Sequence, residues 1–341
     1  MENILEVQNL AFSFNTYAGE VQAVRGVSFS LKEGETLGLV GESGCGKSVT
    51  ARSIVRLNPP YPTGEVKGGS ILFKGRDVNK VSTKEMEEIR AKDIRMIFQD
   101  PMTCLNPTMT IGNQISEGIL KASKNMSKRD ARERAIEMLD LVGIPSPEDR
   151  YRQYPHEFSG GMRQRVMIAL AIAVTPKLLI ADEPTTALDV TTQAQILALI
   201  KKMQIEFKTA IIMITHDLGV VASSADKIAI MYAGKITEAG PADEIFERPA
   251  HPYTWGLLKS IPRLDSDVKQ KLTPILGTPP DLFNPPEGCP FAARCPYAMK
   301  ICRMYEPGTV TISQEHTANC WLYHEMAGNV LNPITGKMVK A

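Results

Sequence analysis

One eight-residue segment, GESGCGKS (41–48), limits what this chain can fold into more than any other feature. It fits the phosphate-loop spacing G-x-x-x-x-G-K-[ST]. Such a loop must leave a buried strand and enter a helix, so that backbone N–H groups and the positive helix end face one anion. The flanks comply. Thr36 to Val40 is a short apolar run that predicts a buried parallel strand, and Ser48 to Leu57 predicts a helix stopping before Pro59 and Pro60. Gly41, Gly44 and Gly46 allow the bend. Lys47 can reach the outer phosphates, and the Ser48 hydroxyl can ligate magnesium.

LLIADE (178–183) supplies the second half of a nucleotide site. It is an apolar strand ending in two carboxylates. A buried strand aims Asp182 at the metal beside the phosphates, and Glu183 can polarise the attacking water. Seen alone, such a pair reads as surface acids at a strand end. With the phosphate loop it points to nucleotide hydrolysis.

The rest of the chain alternates between strands and helices. Residues 1–35 read as short strands, residues 58–69 as a loop, and 71–73 and 94–98 as further strands. Residues 105–175 look mainly helical, with apolar residues three and four apart in 111–120, 128–142 and 162–174. LLIA (178–181) and AIIMIT (210–215) predict strands around a helix over 191–207, and 228–240 predicts a hairpin about Gly234. That order implies an α/β fold, with parallel strands covered on both faces and a helical subdomain inserted at about 105–175. After about residue 250 the composition shifts to proline and cysteine, which marks a separate loop-rich appendage (251–341) behind a first domain of 1–250. Lys+Arg 39 against Asp+Glu 38 argues against nucleic acid as a partner. The longest apolar run, Val166 to Val174, is far short of a membrane span.

Further motifs carry a family resemblance. FSGGMRQR (158–165) resembles the signature motif of ATP-binding cassette ATPases, usually written LSGGQ. Gln99 in IFQDP matches the family's Q-loop, ALD (187–189) its D-loop with Asp189, and His216 in ITHD its switch histidine. The resemblance implies a phosphate-loop NTPase (RecA-like) core with an antiparallel β subdomain. It implies that residues 41–49, namely Gly41, Glu42, Ser43, Gly44, Cys45, Gly46, Lys47, Ser48 and Val49, surround ATP. Magnesium then falls to Ser48, Gln99 and Asp182, and catalysis to Glu183, His216, Lys47 and Gln99. Ser159, Gly160, Gly161 and Met162 would close on the ATP of a partner cassette; Phe158 and Met162 depart from the family's Leu and Gln. Family cassettes also stack an aromatic on adenine, for which Phe14 and Tyr17 are the candidates. Cys45, at a helix start beside Lys47, is expected to favour the reactive thiolate.

GESGCGKS, FQDPMTCLNP, YPHEFSGGMRQRV and HPYTWGLLKSIPRL (251–264) narrow the resemblance to ATPase subunits of oligopeptide and dipeptide importers, with the GGM form of the first of two paralogous ATPases. Nickel and glutathione importers are similar. The resemblance implies a paralogous ATPase partner or a homodimer, two transmembrane permease subunits docking on residues 100–120, and an extracytoplasmic peptide-binding protein. It places the chain peripherally on the cytoplasmic face of the membrane. A soluble cassette acting on ribosomes or DNA, and an iron–sulfur assembly ATPase, are rival readings.

Cys289, Cys295, Cys302 and Cys320 have 5, 6 and 17 residues between them. In a reducing compartment that suggests a metal centre rather than disulfides. Zinc usually takes C-x₂₋₄-C pairs, which are missing here, and wider gaps suit a [4Fe–4S] cluster whose thiolates bind different irons. Zinc stays the alternative, and His316 and His324 are substitute ligands.

Overall fold

The computed structural model describes residues 3–100, 104–123, 125–185, 188–260 and 274–339. Ala187 of the expected D-loop, residues 101–103 of the expected dock and residues 261–264 lie outside the described residues. In chain order the strands are β1 (Asn3–Thr16), β2 (Gly19–Lys32), β3 (Thr36–Val40), β4 (Gly64–Phe73), β5 (Arg76–Asp77), β6 (Ile94–Ile97), β7 (Leu178–Asp182), β8 (Ala210–Thr215), β9 (Lys227–Tyr232), β10 (Lys235–Pro241), β11 (Thr309–Thr311) and β12 (Thr317–Asn319). The chain divides into two compact units. One comprises Met1–Leu5, Leu31–Thr36 and Leu72–Ile214, the other Glu6–Ser30, Leu37–Ile71 and Thr215–Ala341.

The first unit holds three parallel strands. β7 pairs with β6 at Ala181↔Ile97 and with β8 at Asp182↔Ile214. Every position of β7 and β8 is buried. A parallel strand covered on both faces needs no polar side, so its sequence is a continuous apolar run. The helices are Thr83–Lys92, Ile111–Ala122, Lys128–Leu141, Pro147–Arg150, Gly160–Ile172 and Val190–Phe207. Thr110, Ser127, Ser159 and Asp189 cap four of them, each side chain accepting an N–H three residues on. Within the helical stretch, Ile111, Ile115 and Ile119 face inward on one helix, and Ala131, Ala135, Met138 and Leu139 on the next. Helix Thr83–Lys92 was absent from the expectations above. Its signal is S-T-K-E (82–85), a capping box in which Ser82 accepts from Glu85 N and the Glu85 carboxylate accepts from Ser82 N.

In the second unit β3 runs parallel to β9, while β9, β10, β12 and β11 follow one another antiparallel. β2, β1 and β4 stand side by side in another sheet. The stretch 64–69, expected as loop, is the first half of β4. Its glycines mislead because one of them is a strand requirement. Gly69 has φ +84°, and a Cβ there would lie 2.4 Å from the carbonyl oxygens of Gln8 and Asn9. The cysteine-rich stretch is loop-rich, as expected, but not unstructured. It carries helix Lys300–Met304 and the β11–β12 hairpin, which extends β10 through Glu238↔Ala318. Trp255, Cys320 and Leu322 form its core with Tyr297, Met299 and Tyr323 around them. Among the described residues, no helix is long and apolar enough to cross a membrane.

Candidate functional site

The phosphate loop leaves β3 and turns into helix Lys47–Ile54 through Gly46. Gly46 has φ +102°, and a Cβ would lie 2.4 Å from Ala23 O, so both conformation and space exclude any other residue. Lys47 is 5% exposed. Its ammonium donates to Gly41 O at 2.7 Å and Glu42 O at 2.9 Å, and lies 3.7 Å from Cys45 Sγ. The lysine is folded over its own loop, poised to exchange carbonyl oxygens for phosphate oxygens. Gly234 N donates to Cys45 O at 2.9 Å, which ties the loop to the β9–β10 turn.

Cys45 departs from expectation. It is 4% exposed, and burial pushes its thiol pKa up despite the neighbouring Lys47. Sequence proximity supplies the favourable charge but not the desolvation, and desolvation wins.

At the end of β7, Asp182 is 1% exposed. Glu183 follows with φ +48°, a left-handed conformation uncommon for a side chain of this size. Its N–H is held by Ile214 O at 3.0 Å. Gln99, two residues beyond β6, donates Nε2 to Glu183 Oε2 at 2.9 Å. Two residues 84 apart in sequence thus meet at one carboxylate, as parallel pairing of β6 and β7 requires. Gln164 donates to Pro184 O at 2.8 Å and pins the turn after the carboxylates.

Ser159 caps the helix Gly160–Ile172, accepting from Met162 N at 3.3 Å. Ser159 and Gly160 are exposed, with the helix start open to solvent. Asp189 caps helix Val190–Phe207 and accepts from Thr192 N and Oγ1, and these bonds hold its carboxyl below the usual range. His216 is exposed just after β8. Of the two aromatic candidates, Phe14 is half-buried edge-on against Phe12 at 5.1 Å, while Tyr17 stands fully exposed in the β1–β2 turn.

Cys289, Cys302 and Cys320 are buried and Cys295 half-buried. Burial pushes the thiol of Cys289 up to about 11 and that of Cys295 up to about 12, and raises Cys320 further. Neighbouring thiols add to these shifts: Cys302 at Cys289, Cys289 and Cys302 at Cys295, and all three others at Cys320. Backbone N–H groups are aimed at them: Phe291 and Ala292 at Cys289, Tyr297 at Cys295, Leu322 at Cys320 and Met299 at Cys302. Yet among the described residues no three His, Cys, Asp or Glu side chains form a group that could hold a metal ion.

Neither histidine is a substitute ligand. His324 Nδ1 accepts from Met326 N at 3.2 Å. His316 is fully buried, with Nε2 2.8 Å from Glu238 Oε1 and Nδ1 3.3 Å from Glu244 Oε2. Glu238, itself 1% exposed, also accepts from Ala250 N at 2.7 Å, His251 N at 2.8 Å and the Thr254 hydroxyl. A buried carboxylate needs such saturation. Sequence reasoning missed this residue, since its partners lie 12 to 78 positions away.

A family profile for ABC transporters matches residues 24–186, and one for the C-terminal region of oligopeptide/dipeptide transporters matches 237–302. The chain is 60% identical over 327 residues to the dipeptide transport ATP-binding protein DppD of Bacillus subtilis, covering 96% of this chain and 97% of that one. It is 59% identical over 339 residues to the oligopeptide transport ATP-binding protein OppD of the same organism, covering 99% and 94%. Among solved structures, the ATP-binding cassette MJ0796, dimeric in a post-hydrolysis state bound to ADP and Pi, is similar with TM-score 0.64 and 28% identity. That match covers 70% of this chain and 98% of the other.

Proposed function

The chain belongs to the ABC-transporter ATP-binding proteins of the oligopeptide and dipeptide group, and on that premise we propose that it is the ATP-hydrolysing subunit powering import of di- or oligopeptides through a membrane transporter. The observation that carries this reading is likeness along nearly the whole chain, 60% over 96% of it, extension included.

Lys47 gives up its two carbonyl partners for the outer phosphates. Glu183 orients the attacking water and takes its proton, with Gln99 holding the carboxylate beforehand. Ser48, Gln99 and Asp182 offer hydroxyl, amide and carboxylate oxygens, the hard donors that magnesium takes. Bound magnesium neutralises phosphate charge. The exposed helix start at Ser159 and Gly160 receives the ATP of a second cassette. Met162, whose N–H donates to Ser159 Oγ, lacks the side-chain amide a glutamine would offer there. Asp189 and His216 keep the roles that the resemblance gives them, and Phe14 or Tyr17 stacks on adenine. The partners are a second ATPase subunit and two permease subunits, which hold the chain peripherally at the cytoplasmic face of the membrane.

For Cys289, Cys295, Cys302 and Cys320 the reading is a [4Fe–4S] cluster. Its support is four cysteines in one short stretch with backbone N–H donors aimed at their sulfurs. Wide gaps of 5, 6 and 17 residues suit a cube, whose thiolates each meet a different iron, better than a single zinc. When bound, the cluster pins the loop-rich tail.

The deciding experiment is to purify the chain with its membrane subunits, reconstitute them in vesicles, and follow uptake of a labelled tripeptide. Uptake that needs ATP and stops with Glu183→Gln supports the reading. Co-purification with ribosomes and no permease would overturn it.

A further inference from the structure

Arg294 stands between Cys289 and Cys295 in the tail, yet its side chain serves the phosphate loop. It is 5% exposed. Nη1 donates to Glu42 Oε2 at 2.5 Å and Nη2 to Glu42 Oε1 at 3.0 Å, a two-pronged grip that only a guanidinium can make. The guanidinium is itself fixed. Nε donates to Leu276 O at 3.0 Å, Nη2 to Ile275 O at 3.1 Å and Nη1 to the Tyr232 hydroxyl at 3.2 Å.

Glu42 is the second residue of GESGCGKS. Its own N–H donates to the Tyr253 hydroxyl at 2.9 Å. Tyr253 packs against Tyr232 at 4.7 Å and against Phe291 at 5.3 Å. Both backbone and side chain of Glu42 are therefore held by residues of the tail or packed against it. An ordinary structural ion pair would link two parts of the scaffold. This one ends on a loop whose shape decides whether N–H groups converge on phosphate. It also neutralises a carboxylate that, left loose, would stand near an incoming triphosphate of the same sign.

We propose that Arg294 is a positioning residue for nucleotide: by gripping Glu42 it holds the first half of the phosphate loop ready for phosphates, so that the tail sets the affinity for ATP. The inference rests on residues 41–48 being the ATP site. Holding the loop in its phosphate-binding shape acts on ATP binding, and it leaves Glu183 and the chemical step untouched. Arg294→Ala should raise both the Kd for the magnesium complex of a fluorescent methylanthraniloyl-ATP and the KM for ATP about tenfold, with kcat at saturation unchanged. Arg294→Lys keeps the charge but not the fork and should fall between. Glu42→Gln removes the carboxylate that needs restraint, so adding Arg294→Ala to it should cost less than Arg294→Ala costs alone.

The test uses the full-length chain, with thermal unfolding measured alongside. Wild-type affinity in folded Arg294→Ala overturns the proposal, as does an effect undiminished in the Glu42→Gln background. Should Arg294→Ala fail to fold, Arg294→Lys decides by the same criteria, with a shift of about threefold expected. A wild-type chain that binds no ATP would instead refute the reading of the site.

Discussion

Gln99 Nε2 and Glu183 Oε2 are 2.9 Å apart, so the glutamine from the end of one strand holds the carboxylate at the end of the next. The φ of +48° at Glu183 turns its side chain out of the strand direction and into that contact. The carboxylate is thereby oriented before any nucleotide arrives, which is the preorganisation a water-activating group requires.

Replacing Glu183 by Gln keeps size and hydrogen bonding and removes the base. ATP binding should survive while turnover falls by roughly 10²-fold or more. The measurement is phosphate release by a homodimer of the variant, where no second, intact site masks the loss.

Cys45 should be slow toward thiol reagents. A raised pKa lowers its thiolate fraction at neutral pH, and 4% exposure blocks access. In the native chain, exposed Cys104 should be labelled at least about tenfold faster than Cys45. Peptide mapping after brief labelling with iodoacetamide at pH 7.5 reads the ratio.

How far such features are legible in the sequence depends on range. The phosphate loop and β3, β7 and β8 could be read because a few adjacent residues determine them. The first half of β4 could not, because Gly69 answers to the carbonyls of Gln8 and Asn9, about 60 positions earlier. The burial that raises the Cys45 pKa was hidden for the same reason: Lys47 is visible two positions on, while burial is a property of the folded neighbourhood. The grip of Arg294 on Glu42 spans 252 positions and left no local trace.

His251 should set part of the acid sensitivity. It is fully buried, and burial lowers its pKa from 6.5 to about 3. The unfolded chain therefore takes up a proton through this window and the folded chain does not. Stability from this group is complete above about 6.5 and is lost as pH falls toward 3, by about 2 kcal/mol between pH 7 and pH 5. His251 Nδ1 accepts from Tyr253 N at 3.0 Å as a helix cap, a bond that asparagine can replace. Urea unfolding of His251→Asn at the two pH values should show a slope smaller by that amount.

Anaerobically purified protein should be brown, carry about four irons per chain and bleach with dithionite. With the proposed cluster, Cys302→Ser should lose iron and lower the melting temperature, because one of its four ligands is then missing. A colourless protein with one zinc per chain would overturn the cluster and leave the four ligands in place.

The four-point saturation of Glu238 has a consequence for modularity. Its donors, Ala250, His251, Thr254 and His316, all lie at or beyond residue 250, while Glu238 sits in the strand before it. Cutting the chain at 250 would strand a buried carboxylate without its protons. A chimera that exchanges tails between related ATPases must therefore place its junction upstream of β10, so that strand and tail travel together as one inheritable piece.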